Sequence, residues 1–460
     1  MFSEQFSDRP EEETDVDDYL RVADELAADI AAGRLRPGDR LPPQREFARR
    51  RAIAASTAAR VYKELSRRGL TVGEVGRGTF VRAAGRVPGP ALAEPAGTRV
   101  DLELNHPVVP GQAELLAHGI GSLLRPDVLE SSMRPVGVAG TPSARELFAD
   151  LLARAGWRPD PEQVLFAGNG RQAIAAAMAA LAPPGSRLGV EELTYPVLKA
   201  IANRLGITLV PLGVDEAGLV PEAIEAAARK AALNAVYLQP TLHNPLSTTM
   251  PLDRRAGIAD VLERLGLHAI EDAVWSFLDD GLPPLAALAP ERTVLIDSLS
   301  KRLAPGLTVG CAVVPRALSS GMATALRSGG WAPTRFALDA AARWLDDGAV
   351  RSVGRAKQRD AAARQELVAR HLGGFSIRGV PNSYYCWWEL PHPWRADTFV
   401  AAAARRGIAV TPAAAFAVGR YRAPNAVRLG LASPPAEALS QALGTLAELA
   451  GSAPDDLMAE

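Results

Sequence analysis

Cysteine is nearly missing from this 460-residue chain, which holds only Cys311 and Cys386. Two thiols without metal-ligand spacing exclude a disulfide framework and a cysteine-held zinc site, and no metal is expected. They fit a reducing compartment, so the expected location is the cytoplasm. An excess of positive or negative residues is missing as well. The formal net charge is −1, and no global field points to a nucleic-acid or membrane partner. No uninterrupted apolar run reaches about 18 residues, which argues against a helical membrane span. The N-terminal residues lack a basic stretch followed by an apolar one, so no signal peptide is expected.

Hydrophobic residues make up 48% and charged residues 22%, the balance of a globular protein rather than a disordered one. The length suits one large α/β domain and a small module. The near-neutral total conceals an asymmetry. The first eighteen residues carry eight acids and the single base Arg9, whereas residues 33–82 carry thirteen Lys or Arg and four acids. A basic block of that kind is the electrostatic footprint of a nucleic-acid module.

Residues 18–32 place Leu20, Ala23, Leu26, Ala27 and Ile30 at helical spacing. A second helix is expected over 44–51, a third over 56–69, and a two-stranded wing over 71–81 around Gly73, Gly76 and Gly78. That order is the winged helix-turn-helix plan. Residues 83–100 are rich in Ala, Pro and Gly without periodicity and read as a linker. Beyond them, strand-like runs at 164–166, 187–190, 208–211, 235–239, 268–271 and 294–297 alternate with helical stretches, which argues a mostly parallel sheet. A smaller α+β part is expected around 384–390 and 426–431. The partition is therefore an acidic tail (1–18), a winged helix-turn-helix domain (19–82), a linker (83–100) and a large α/β domain (101–455).

The strings GRLRPGDRLPPQREFARR, STAARVYKEL and GRGTFV resemble the DNA-binding domain of GntR-type bacterial regulators, over about residues 19–82. The resemblance makes Ser56–Arg60 the exposed start of the recognition helix. Thr57 and Arg60 would reach base edges or phosphates, and Arg45, Arg49 and Arg77 would hold phosphates. Ala54-Ala55 replace a Ser-Arg pair usual in the family, with Ser56 expected to take over the helix cap.

Ser298-Leu299-Ser300-Lys301 closes a hydrophobic run with a lysine between small hydroxyls, a setting suited to a Schiff-base amine. From about Asp101 onward the chain resembles fold-type I aminotransferases, and the whole resembles a MocR-type regulator. The fold implied is a winged helix-turn-helix domain plus an α/β fold-type I domain dependent on pyridoxal 5′-phosphate, its sheet mostly parallel and its C-terminal part a smaller α+β unit. Lys301 would form the aldimine, Asp272 would pair with the ring nitrogen, Asn244 would donate to the phenolic oxygen, and Tyr195 would stack on the ring. Gly170, Arg171 and Ser298 would cradle the phosphate at a helix N-terminus, and Arg428 would bind a ligand carboxylate. The chain departs from the family where Trp275 or Val274 stands for a tyrosine, Thr308 for a phosphate-binding arginine (with Arg171 or Arg302 as substitutes) and Val136 for another tyrosine. Asn244-Pro245-Leu246-Ser247 replaces Asn-Pro-Thr-Gly.

The favoured reading is a homodimeric DNA-binding transcriptional regulator that holds pyridoxal 5′-phosphate and senses a small amine, an amino acid or the cofactor itself. Two others stand beside it. One is a weak aminotransferase with an accessory DNA-binding domain. The other is a regulator that no longer binds the cofactor. The departures at Trp275, Val136 and Thr308 weigh against turnover.

Overall fold

The computed structural model describes residues 12–31, 34–35, 38–67, 70–74, 78–81, 100–419, 421 and 423–452. Arg77 and linker residues 83–99, singled out above, lie outside the described residues. The chain divides into two compact units, residues 1–89 and 90–460.

In the first unit, helices Glu12–Ala31, Gln44–Arg51 and Ala55–Arg67 pack with a three-stranded antiparallel sheet. The first helix starts earlier than the Asp18 expected from periodicity. It contributes Val22, Ala23, Leu26 and Ile30 to the core, and the third helix contributes Ala58, Val61, Tyr62 and Leu65. Both sets follow the helical period, so each helix buries one stripe. The expected two-stranded wing is the pair Thr71–Glu74 and Gly78–Val81, to which Arg40–Leu41 adds a third strand. Tyr62 ties that strand's end by donating from its hydroxyl to the Pro42 carbonyl at 2.5 Å.

The second unit is built on a seven-stranded sheet. Its order is Val164–Ala167, Gly310–Val313, Thr293–Ser298, His268–Asp272, Ala235–Leu238, Arg187–Glu191 and Thr208–Leu212. Every neighbouring pair is parallel except those made by Gly310–Val313, which runs against both its neighbours. The sequence pattern located six strands and missed this one. Gly310 and Ala312 carry little β-propensity, yet all four residues of the strand are buried in the sheet. Helices cover both faces, so the central strands read as apolar runs without alternation. Thr293–Ser298 is buried at every position.

The C-terminal portion is a four-stranded sheet ordered Ser376–Arg378, Tyr385–Glu389, Ala426–Gly430 and Thr411–Pro412, antiparallel throughout. Helices Ala349–Leu372 and Ala436–Gly451 pack on it. Val100, placed at the end of the linker by its sequence, is already a strand residue, because Val100–Asp101 pairs in parallel with Ile408–Ala409.

Candidate functional site

Parallel strands end on one edge of the large sheet, and loops leaving that edge are where α/β folds place ligands. Asp272 ends its strand, Ser298 ends the next, and Gln239 directly follows Ala235–Leu238. Gly170 and Tyr195 follow Val164–Ala167 and Arg187–Glu191 at the starts of the succeeding helices.

Lys301 sits in the one-turn helix Leu299–Arg302, capped by Ser298, whose Oγ accepts from the Ser300 N–H. Its Nζ donates to the Asn105 carbonyl at 2.5 Å and lies 5.1 Å from the centre of the Trp275 ring. Burial lowers its pKa to about 7, helped by the positive charges of Arg171, Arg428 and Lys357 and opposed by Asp272. A substantial share of this amine is therefore uncharged near neutral pH, the form that attacks a carbonyl carbon. Trp275, rather than Val274, is thus the aromatic beside the lysine.

Asp272 is buried, and its Oδ2 accepts from the Tyr237 hydroxyl at 2.6 Å and from Gln239 Nε2 at 2.9 Å. Burial raises its pKa, and these two neutral donors, with the Val274 N–H, pull it back. Gln239 uses its other side-chain atom to accept from the Asn244 N–H at 3.1 Å, which fixes the Asn244 loop relative to Asp272. The fully buried Arg255 holds the same loop by donating to the Pro240 and Met250 carbonyls and to Thr241 Oγ1. Asn244 Oδ1 is buried with no hydrogen-bond partner among the described residues.

Asn169 caps helix Gly170–Leu181 by accepting from the Gln172 N–H at 3.0 Å. Gly170 abuts Ser298 so closely that a Cβ there would stand 3.0 Å from Ser298 Oγ. The helix N-terminus and the serine therefore share one small space. Arg171 is exposed and donates from Nε to the Tyr195 hydroxyl at 3.1 Å. Arg302 is committed elsewhere, since it pairs with Asp297 at 2.6 Å and stacks on Phe277. Thr308 bonds Ser300 through their hydroxyls at 2.8 Å, and Val136 packs on the apolar cluster around Phe166 and Leu338.

Arg428, on strand Ala426–Gly430, is buried beneath these groups. It donates to the Glu103 carbonyl and to Thr411 Oγ1, lies over Phe416, and leaves Nε without a partner among the described residues. Sequence reasoning missed Asn105, His106, Tyr237, Gln239 and Lys357. Burial, with the charges of Lys301 and Arg171, lowers His106 to about 4, so it stays neutral beside them. Tyr237 had a legible signal, a hydroxyl in an otherwise aliphatic buried strand.

In the first unit, Arg45, Arg49, Ser56 and Arg60 are exposed, with Arg45/Arg49 and Ser56/Arg60 each one helical turn apart. Two expectations need correction. Thr57 is only 4% exposed and belongs to the packed face of its helix, which leaves its side chain little surface with which to reach a base edge. Ser56 does not cap the helix. The Ala58 N–H bonds the Ala54 carbonyl, which makes Ala54 the cap residue and leaves Ser56 inside the first turn. No helix among the described residues is long and apolar enough to cross a membrane.

Residues 132–446 match the family described as aminotransferase class I and II, and residues 18–81 match bacterial regulatory proteins of the gntR family. An uncharacterised HTH-type transcriptional regulator of Bacillus subtilis, YdeF, is 31% identical over 435 residues, spanning 94% of each chain. The HTH-type pyridoxine biosynthesis transcriptional regulator PdxR of Corynebacterium glutamicum is 27% identical over 87% of this chain and 89% of its own. An archaeal alanine:glyoxylate aminotransferase superposes with a TM-score of 0.70 at 20% identity, covering 76% of this chain and 90% of that one, a likeness of fold.

Proposed function

Because the chain belongs to the MocR-type branch of the GntR family, with a GntR DNA-binding module joined to a class I and II aminotransferase domain, we propose that it regulates transcription by sensing a small molecule through bound pyridoxal 5′-phosphate. The DNA-binding part is residues 19–82 and the sensing part residues 101–455. The observation that carries the reading is the placement of Lys301 directly beyond the carboxyl end of strand Thr293–Ser298, its amine 5.1 Å from the Trp275 ring and bonded to the Asn105 carbonyl.

The residues present fit that cofactor. Asn244 is buried, and its Oδ1 has no partner among the described residues; a buried amide of this kind has capacity left for a ligand, and its NH2 group is the end that would donate to the phenolic oxygen. Asp272 is a buried carboxylate steadied by Tyr237 and Gln239, suited to accept from a ring N–H. The N–H groups of Gly170 and Arg171 with the Ser298 hydroxyl would hold the phosphate. Lys301 Nζ would hold the cofactor covalently, Tyr195 would cover its ring, and Arg428 would take an amino-acid carboxylate. When bound, the group supplies an aldehyde carbon that one amine can surrender to another.

An amine or amino acid that takes the place of Lys301 would leave that side chain protonated or free. The resulting shift in population between two arrangements would reach operator DNA. We take the regulator to be a homodimer engaging two half-sites. Arg45, Arg49 and Arg60 would contact the duplex, and Arg77 is proposed on sequence alone.

The test is an absorbance spectrum of the purified protein before and after adding pyridoxal phosphate, repeated on Lys301→Ala. A new band that depends on Lys301 is expected; its absence in the wild type sinks the cofactor reading. Steady product from an amino donor and a keto acid would instead favour a working aminotransferase.

A further inference from the structure

Helix Ala349–Leu372 buries Val350, Val353, Lys357, Ala361, Arg364, Val368 and Leu372. Lys357 occupies an apolar position of that stripe and has no exposed surface at all. Its Nζ donates to the Lys301 carbonyl at 3.0 Å and to the Leu303 carbonyl at 2.5 Å. Those oxygens end the single turn Leu299–Arg302, where the last carbonyls of a helix have no partner within it. Gln112 Nε2 adds a donor to the Leu303 carbonyl at 3.2 Å.

A buried ammonium is costly, and an apolar side chain of equal length would fill the same volume more cheaply. Asp360, the acid nearest to it in effect, is already bonded by Arg364 and the Tyr384 hydroxyl. What an amine with several N–H donors can do here, and an apolar side chain cannot, is hold both carbonyls of the lysine-bearing turn. We propose that Lys357 is the positioning residue for Lys301, clamping its backbone from below while adding a like charge behind its amine. The proposal rests on Lys301 being the reactive amine described above.

The charge has a definite sign. Arg171, Arg428 and Lys357 push the Lys301 proton off, Asp272 draws it on, and His106 faces them from the loop before residue 112. Burial lowers Lys357 to about 7 as well, with Asp360 opposing. Removing Lys357 therefore raises the Lys301 midpoint and leaves less free amine at neutral pH.

The experiment uses the full chain freed of cofactor. Trace reductive methylation with formaldehyde and borohydride is followed against pH, and the Lys301 peptide is quantified by mass spectrometry. Pyridoxal phosphate affinity is read in parallel by absorbance. Lys357→Met removes the charge and the donors, whereas Lys357→Gln removes the charge and keeps a donor. Expected is an upward shift of the Lys301 midpoint by a fraction of a unit in both variants. Affinity should weaken about tenfold in Lys357→Met and recover at least partly in Lys357→Gln. A lower melting temperature with a wild-type midpoint and wild-type affinity marks a structural lysine and overturns the proposal. If Lys357→Met does not fold, the midpoint in Lys357→Gln decides alone. A wild type that never captures pyridoxal phosphate refutes the cofactor reading, and the labelling midpoints still decide the role of Lys357.

Discussion

Replacing Gly310 by alanine should damage the site without touching any group that performs chemistry. Gly310 opens the antiparallel strand and pairs with Ser298 on one side and Ala167 on the other. A Cβ at this position would lie 2.4 Å from both the carbonyl carbon and the oxygen of Asn169, whereas ordinary contact lies at 3.4–4 Å. The overlap is about 1 Å against main chain that a rotamer change cannot relieve, and overpacking of this kind costs about 1–3 kcal/mol. Asn169 also begins helix Gly170–Leu181. Its carbonyl accepts from the Ala173 N–H and its side chain accepts from the Gln172 N–H. Displacing it weakens an N-cap contributing about 1 kcal/mol. Together the loss is about 2–4 kcal/mol, and the N–H groups assigned to the phosphate move with the cap. Urea unfolding followed by tryptophan fluorescence isolates the large unit, because all seven tryptophans fall within residues 157–394. Gly306→Ala is the matched control, since a Cβ there meets nothing within 4 Å. The midpoint should fall for Gly310→Ala and hold for Gly306→Ala, with pyridoxal phosphate affinity following the same order. A Gly310→Ala protein with the control's midpoint and affinity would refute this account of the strand.

Three further outcomes are expected. The rate at which the wild type captures pyridoxal phosphate should rise with pH through about 7 and then level off, because the reactive form of Lys301 is its neutral amine; stopped-flow absorbance showing a rate flat across that range would contradict the lowered pKa. Tyr237→Phe removes a 2.6 Å bond to the Asp272 carboxylate and should cost about 1.5–3 kcal/mol by urea midpoint, with no change in secondary structure by circular dichroism. Arg60→Ala should weaken operator binding in a mobility-shift titration and lower the salt slope by about 1. Thr57→Ala, at a buried position, should lower the melting temperature of the first unit and leave the salt slope alone.

The linear order of the site was legible without coordinates because each motif is local. Gly170-Arg171 reads as the N-terminus of an alanine-rich helix, Glu271-Asp272 as acids closing a strand, and Ser298 to Lys301 as hydroxyls around an amine. Strand positions were legible too, since parallel strands buried on both faces leave apolar runs. Gly310–Val313 escaped because Gly310, which must pass close to the Asn169 main chain, and Ala312 carry little strand signal of their own. Thr57 was misplaced because motif position fixes a residue's place along the recognition helix while packing decides which way it faces.

The sequence alone therefore determined the two-module plan and the basic character of the first module, and it proposed which lysine, aspartate and asparagine share a site. Tertiary structure decided the state those residues are in. Burial together with Arg171, Arg428 and Lys357, drawn from three distant segments, sets the charge of Lys301. The helical period reveals that Lys357 and Arg364 fall on an apolar stripe. The carbonyls that justify them belong to residues 301 and 303 for one and 431 and 434 for the other. A buried charge is stable only where the fold brings acceptors to it, and such acceptors are backbone atoms common to every residue, so no side-chain pattern announces them.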